Sequence, residues 1–198
     1  MLKYHEVEIA GLPRKLPLYQ VDEGTFIPLF IAYNDVPLIQ AAARKLLEKV
    51  ADFDVILTEE IQGITLAYAM SLLAGKERII VARKSAKAYM DDSVAIQVID
   101  HEELDDGEHS VVYKRLYVSK DDADYIKNKR VLLVDDVVLH GRTMCSLTEL
   151  TNALGGYVVG EASIIRHGFN KLHSDDSQVY LLSLPLYGDE GEEKEVDE

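Results

Sequence analysis

The stretch Arg130-Val131-Leu132-Leu133-Val134-Asp135-Asp136-Val137-Val138-Leu139-His140-Gly141-Arg142-Thr143-Met144 constrains this chain more than any other. Its apolar opening, with two valines, predicts a strand buried on both faces, the kind found in parallel sheets. The strand ends in two acids. A short loop holding Gly141 follows. Thr143 then opens an amphipathic segment in which Met144, Leu147, Leu150 and Leu154 recur at helical spacing. The unit reads as strand, loop, helix.

That unit suits a phosphorylated sugar. Backbone N–H groups at a helix start, with the positive end of the macrodipole behind them, hold an anion such as phosphate. The Thr143 hydroxyl is placed to cap the helix and to donate to a phosphate oxygen. Paired carboxylates at the C-terminal end of a parallel strand accept hydrogen bonds from vicinal hydroxyls, and sheets of this type bind ligands at that edge. Together these groups describe a holder for ribose 5-phosphate.

The stretch closely resembles the phosphoribosyl pyrophosphate (PRPP) signature of type I phosphoribosyltransferases: a hydrophobic strand, two acids, two apolar residues, a small residue, then Thr-Gly-Gly-Thr. Asp135 and Asp136 match the acids, Gly141 the first glycine and Thr143 the last threonine. His140 stands in place of threonine and Arg142 in place of the second glycine. If that glycine position needs φ > 0, Arg142 is strained there. If it does not, the guanidinium adds a charge-assisted bond to the phosphate. The resemblance implies that Leu139, His140, Gly141, Arg142 and Thr143 contact PRPP.

The 198 residues suit one α/β domain, here residues 1–188, with a hairpin and hood in 1–35 and a core in 36–188. The net charge of −14 argues against a surface built to grip nucleic acid. No apolar run is long enough to span a bilayer. The lone cysteine, Cys145, cannot form an internal disulfide, and a reducing cytoplasm is the simplest compartment. Cys145 lies just inside the binding helix, but no partnered base accompanies it, and it reads as a packed thiol.

Taken in order, Tyr4 to Val21 predicts a hairpin turning at Gly11-Leu12-Pro13-Arg14, and Gly24 to Tyr33 a mostly apolar connection. A helix is expected from Asp35 as cap, with Pro37 in its first turn and Leu38, Ala42, Leu46 and Val50 on its apolar face. Asp54 to Thr58 reads as a buried strand, followed by Glu59-Glu60-Ile61-Gln62-Gly63 and a helix carrying Leu66, Met70 and Leu73. A further strand runs from Arg78 into the cations Arg83, Lys84 and Lys87. Ser93–Ile99 and Ser110–Val118 alternate as strands on either side of a polar run, 100–109. His101 and His109 in that run match no metal motif and read as exposed loop residues. A helix-like segment begins at Asp121, Gly155-Gly156 ends the binding helix, and 157–165 and 178–184 are strands. The tail 189–198 is strongly acidic and expected to be disordered.

The resemblance extends these readings. It implies a Rossmann-like type I phosphoribosyltransferase fold, a central parallel sheet flanked by helices, with a flexible two-stranded flap over 91–120 and a hood over the base. Phe26, Ile27 and Phe30 become candidate base contacts. Glu60, Gln62 and Gly63 correspond to the pyrophosphate loop, with Gln62 where arginine is usual. The Arg-Lys strand end is similar to that of adenine and xanthine phosphoribosyltransferases, which assigns Lys84, then Lys87, to PRPP. The implied reaction moves ribose 5-phosphate from PRPP to a purine nitrogen and releases pyrophosphate, in purine salvage. Asp135, Asp136 and Lys84 are the catalytic candidates. Mg²⁺ is the implied cofactor, touched indirectly by Asp135 and Asp136, and a homodimer the implied assembly. The rival reading is a PRPP or nucleotide sensor of the same fold without turnover. A phosphate-loop kinase is disfavoured by the absence of a Walker lysine pattern.

Overall fold

A computed structural model describes residues 4–90, 92–103, 109–139, 141–167, 178–188 and 192–194. Five strands, β4 (Val55–Glu59), β5 (Ile79–Ala82), β8 (Arg130–Val138), β9 (Tyr157–His167) and β10 (Gln178–Leu184), form one sheet in the order β10-β9-β8-β4-β5. Every neighbouring pair in it is parallel. Crossovers run through α2 (Ile64–Leu73) between β4 and β5, and α4 (Arg142–Ala153) between β8 and β9. The chain therefore builds outward from β4 on one side and from β8 on the other. The order reverses between these two strands, where open α/β sheets leave a crevice at their carboxyl ends.

The strands explain the layering. Successive side chains point to opposite faces, so Leu132 and Val134 join Leu38, Ala42, Leu46, Leu66 and Met70 in one buried layer under α1 (Val36–Leu47) and α2. Val131 and Leu133 join Ile126, Met144, Leu147 and Leu150 in the other, under α3 (Lys120–Ile126) and α4. Val55 to Glu59 are all buried, as expected for a central strand. Truncating Leu132 to Ala, at 0% exposure, removes packing worth about 2–5 kcal/mol. Of the apolar residues expected on α2, Leu66 and Met70 are fully buried and Leu73, its last residue, is 43% exposed.

A second sheet, in the order β1-β2-β3-β11-β12, joins β1 (Tyr4–Ile9), β2 (Leu12–Asp22), β3 (Thr25–Pro28), β11 (Leu186–Tyr187) and β12 (Glu193–Lys194). The hairpin turns at Ala10-Gly11, not over 11–14: both residues have φ > 0, at 53° and 85°, the backbone that tight two-residue hairpins require. Pro13 is already in β2, opposite Glu8. The segment expected as a plain connection supplies β3, and the acidic tail is not featureless, since Glu193 and Lys194 pair with Tyr187 and Leu186. Arg14 ties this sheet to the core by donating to both oxygens of Asp35, at 2.6 and 3.0 Å, while Asp35 also caps α1 by accepting from the Leu38 N–H.

The third sheet is the expected hairpin, β6 (Val94–Glu103) with β7 (His109–Val118), registered from Val94 opposite Val118 to Glu103 opposite His109. It extends further than the alternation suggested, so His101 and His109 lie on strands rather than in a loop. Its base is anchored. Val98, Leu116 and Val118 are fully buried against the α4 layer, and Glu149 and Ser146 of α4 bind both the N–H and the carbonyl of Ile99.

Candidate functional site

At the switch point, two loops from neighbouring parallel strands face each other. The β4 loop enters α2 through Gly63; its Glu60–Ile61 peptide is cis. The β8 loop enters α4 through Gly141. A cleft of about 510 Å³ opens between them, lined by Glu59, Glu60, Ile61, Gln62, Lys84, Lys87, Asp135, Asp136, Val137 and Thr143.

The acid pair sits on its floor. The Asp136 N–H donates to Asp135 Oδ1 at 2.9 Å. Asp136 is 2% exposed, and its Oδ2 has no hydrogen-bond partner among the described residues. Loss of hydration first, then the charges of Asp136 and Glu59, push Asp135 well above the usual carboxylate range, and burial raises Asp136 too. Buried carboxyls short of donors are suited to accept from hydroxyls or a hard cation brought by a ligand. Gly63 belongs to this arrangement for steric reasons. A Cβ there would lie 2.4 Å from Thr58 Oγ1 and 3.1 Å from Asp135 Cα, so only glycine lets the two loops approach.

Gly141 plays the conformational part. Its φ of 70° places it in the left-handed region, and α4 begins at the next residue. Arg142 is a helical residue and does not carry the positive φ, so the substitution by arginine is unstrained. Thr143 does not cap α4 as expected. The helix starts one residue earlier and has no side-chain cap, leaving Thr143 in its first turn. A smaller hollow of about 200 Å³, lined by Val137, Val138, Leu139, Gly141, Arg142, Thr143 and Met144, lies at this helix start. The cap chemistry differs by position. Asp35 caps α1 and Ser119 caps α3, whereas α2 and α4, which begin at the cleft, have no capping side chain and no acid in the first turn. Helix starts of this kind keep backbone donors for an anion.

The cations form the facing wall. Glu60 accepts from Arg83 Nη1 at 3.1 Å, from the Lys84 N–H at 2.9 Å and from Lys87 Nζ at 3.4 Å. Burial works to raise Glu60, but these donors outweigh it and hold the carboxyl below its ordinary value. Glu59, 6% exposed, lies 3.4 Å from Lys84 Nζ and 3.3 Å from Lys114 Nζ.

The expected residues thus divide. Glu60, Gln62, Gly63, Arg83, Lys84, Lys87, Asp135, Asp136 and Thr143 converge on the cleft or its wall, with Leu139, Gly141 and Arg142 beside it. His140 lies outside the described residues. None of Phe26, Ile27 and Phe30 lines the cleft. Phe30, 5% exposed, packs into the core with α1, while Phe26 and Ile27 are half-buried in β3. Two residues went unread. Glu59 is the last residue of a buried strand, a costly place for a carboxylate and hence a signal. Lys114 is a lysine at an inward position of an alternating strand, and only the pairing of β7 with Arg83 brings it to the site.

Residues 32–193 match the phosphoribosyl transferase domain family. The chain belongs to that family, among its type I, purine-related members, and has their fold. It is 28% identical to adenine phosphoribosyltransferase of Mycoplasma capricolum over 167 residues, 80% of this chain and 89% of the relative. It is also 28% identical to xanthine phosphoribosyltransferase of Brevibacillus brevis over 116 residues, 59% of this chain but only 55% of that relative's length. Among solved structures, Saccharomyces cerevisiae adenine phosphoribosyltransferase superposes with a TM-score of 0.64 at 17% identity, covering 91% of this chain and 94% of the other. The enzyme from Thermoanaerobacter pseudethanolicus gives 0.62 at 18% identity, covering 91% and 95%. At such identities these structures speak for the fold.

Proposed function

We propose that the protein transfers ribose 5-phosphate from PRPP to a ring nitrogen of a purine base, releasing pyrophosphate in purine salvage. The observation that carries this reading is the single cleft in which Asp135 and Asp136 face the first turn of α4 on one side and the Glu60–Gly63 loop with its cations on the other. The 5-phosphate takes the amides and Thr143 hydroxyl at the start of α4, with Arg142 adding charge. The ribose hydroxyls take the unfilled acceptors of the acid pair. The diphosphate lies toward Lys84, Lys87 and Arg83.

The bond from the anomeric carbon to the diphosphate oxygen breaks with its electron pair on the oxygen, and the base nitrogen forms the new bond to that carbon. Cations near the departing oxygens and carboxylates below the sugar stabilise the charge that develops, which is positioning and electrostatics rather than covalent catalysis. Among the described residues no group of three or more His, Cys, Asp or Glu side chains is arranged to hold a metal. The orphaned Asp136 Oδ2 and its neighbour Asp135 fit a Mg²⁺ held mainly by ligand oxygens. When bound, that ion neutralises diphosphate charge.

A homodimer is part of this reading. Tyr68 and Leu72, four residues apart on α2, are 60% and 66% exposed, an apolar strip suited to a second copy. No helix among the described residues is long and apolar enough to cross a membrane, and the working compartment in this reading is the cytoplasm.

The decisive experiment is pyrophosphate release from PRPP with Mg²⁺ and a panel of adenine, guanine, hypoxanthine and xanthine. Release matched by nucleotide formation with at least one base is expected. PRPP binding without turnover on any base selects the sensor, a reading favoured by the exposed Gln62 in place of a cation.

A further inference from the structure

The hairpin β6–β7 does more than stand beside the cleft. Its return strand is bonded to the cationic strand end in both directions, Arg83 N–H to the Tyr117 carbonyl at 2.9 Å and Tyr117 N–H to the Arg83 carbonyl at 2.8 Å. From that rung, Leu116 and Val118 point inward and are fully buried. Lys114 is the next inward position, at a spacing of two. A lysine on the core-facing row is costly unless its ammonium reaches a partner or water. Here it reaches Glu59, whose two oxygens are shared between Lys114 at 3.3 Å and Lys84 at 3.4 Å, and Glu59 lines the cleft.

Charge accounting gives this placement meaning. Glu59, Glu60, Asp135 and Asp136 are gathered at the cleft; Arg142 lines the separate hollow at the start of α4, which leaves Arg83, Lys84 and Lys87 as the cations facing them at the diphosphate end. Gln62 adds no charge. A cleft with excess carboxylate repels a diphosphate, and Lys114 restores the balance from a different element of the chain.

We propose that Lys114, carried by the return strand of the hairpin, is a binding residue for the diphosphate end of the substrate, with Glu59 holding its ammonium and that of Lys84 ready between turnovers. When a diphosphate enters, the ammonium keeps its place and exchanges part of its bond to Glu59 for a phosphate oxygen. The hairpin then reads the leaving group directly, in place of the cation that Gln62 does not provide. This inference rests on the phosphoribosyltransferase reading and adds to it a residue and its ligand.

Calorimetric titration of the full chain with PRPP, inorganic pyrophosphate and ribose 5-phosphate, each with Mg²⁺, tests it. Lys114→Met is expected to weaken PRPP and pyrophosphate about 10- to 100-fold, the range of one charge-assisted bond, and to leave ribose 5-phosphate unchanged. Lys114→Arg should stay within a few-fold of the parent. The double variant Glu59→Gln/Lys114→Met should remain weak. The proposal is overturned if Lys114→Met binds pyrophosphate as the parent does, if it loses ribose 5-phosphate equally, or if the double variant regains parental affinity, which would reduce Lys114 to a counter-ion for Glu59. A parent protein that binds none of the three ligands overturns the phosphoribosyltransferase reading and this proposal with it. Parental binding with an indifferent Lys114→Met overturns this proposal alone.

Discussion

The two ends of the same pair of strands treat their acids in opposite ways. Where β4 and β8 begin, Arg130 donates from Nη1 to Asp52 and from Nη2 to Asp54, each at 2.8 Å, and the Arg130 N–H donates to Asp54 as well. That hydrogen bonding, led by the guanidinium, holds Asp54 at about 2. Where β4 and β8 end, burial lifts Asp135 and Asp136 above their ordinary values, and the charge of Asp136 adds to the rise of Asp135. One end has charges satisfied and wet. The other has charges crowded and dry. The difference teaches which end is built to hold the fold and which to hold a ligand: a site keeps its acceptors unfilled at some cost to the protein that carries it.

The largest expected effect breaks the contrast at the ligand end. Asp136→Asn should weaken PRPP about 10- to 100-fold while the thermal transition stays cooperative, because an amide is a poorer acceptor for ribose hydroxyls and for a cation. Calorimetry beside a melting curve checks both halves. Unaltered PRPP affinity in the folded variant would remove the acid pair from the site.

Asp135→Asn sharpens the contrast with a smaller effect of opposite sign on stability. A carboxyl whose folded pKa is raised favours the folded state fully below its unfolded value near 3.9, and that contribution is lost as pH rises through the elevated folded value. At pH 7 a carboxyl raised in this way is therefore a burden on the folded state. The amide, which still accepts the Asp136 N–H, should raise stability by about 1–2 kcal/mol, a gain that disappears toward pH 4. Melting temperatures at pH 7 and pH 4 decide it; equal gains at both would mean that repulsion and dehydration are not the cause.

The smallest effect belongs to the other end. Asp54 is partly exposed and its folded pKa is lowered, so its contribution is present above the unfolded value near 3.9 and is lost as pH falls through about 2. Asp54→Asn should leave PRPP affinity unchanged and make the acid limb of the stability curve shallower between those values, read by acid titration of the circular dichroism signal. A loss of PRPP binding in this variant would show that the two ends are coupled through the strands.

The β8 strand, its acid pair, Gly141 and the amphipathic α4 were legible because local periodicity and one glycine specify them without reference to distant residues. Asp35 as the cap of α1 was legible for the same reason. The hairpin turn was misplaced by its proline, which β2 tolerates where only β1 flanks it, since β3 pairs further along at Leu18 to Asp22. Thr143 was misread as a cap because the left-handed Gly141 ends the loop earlier than residue type suggests.

By itself, then, the order of residues determined the alternation of buried strands and amphipathic helices, the acid pair and the glycine-led start of α4, all of which are properties of short stretches. Only the tertiary structure decided that β4 and β8 lie side by side, that Gly63 must be bare for their loops to meet, and that Lys114 arrives at Glu59 from 55 residues away. Strand order and ion pairing are set by which buried faces cover one another, a global balance of packing and desolvation that no local pattern records.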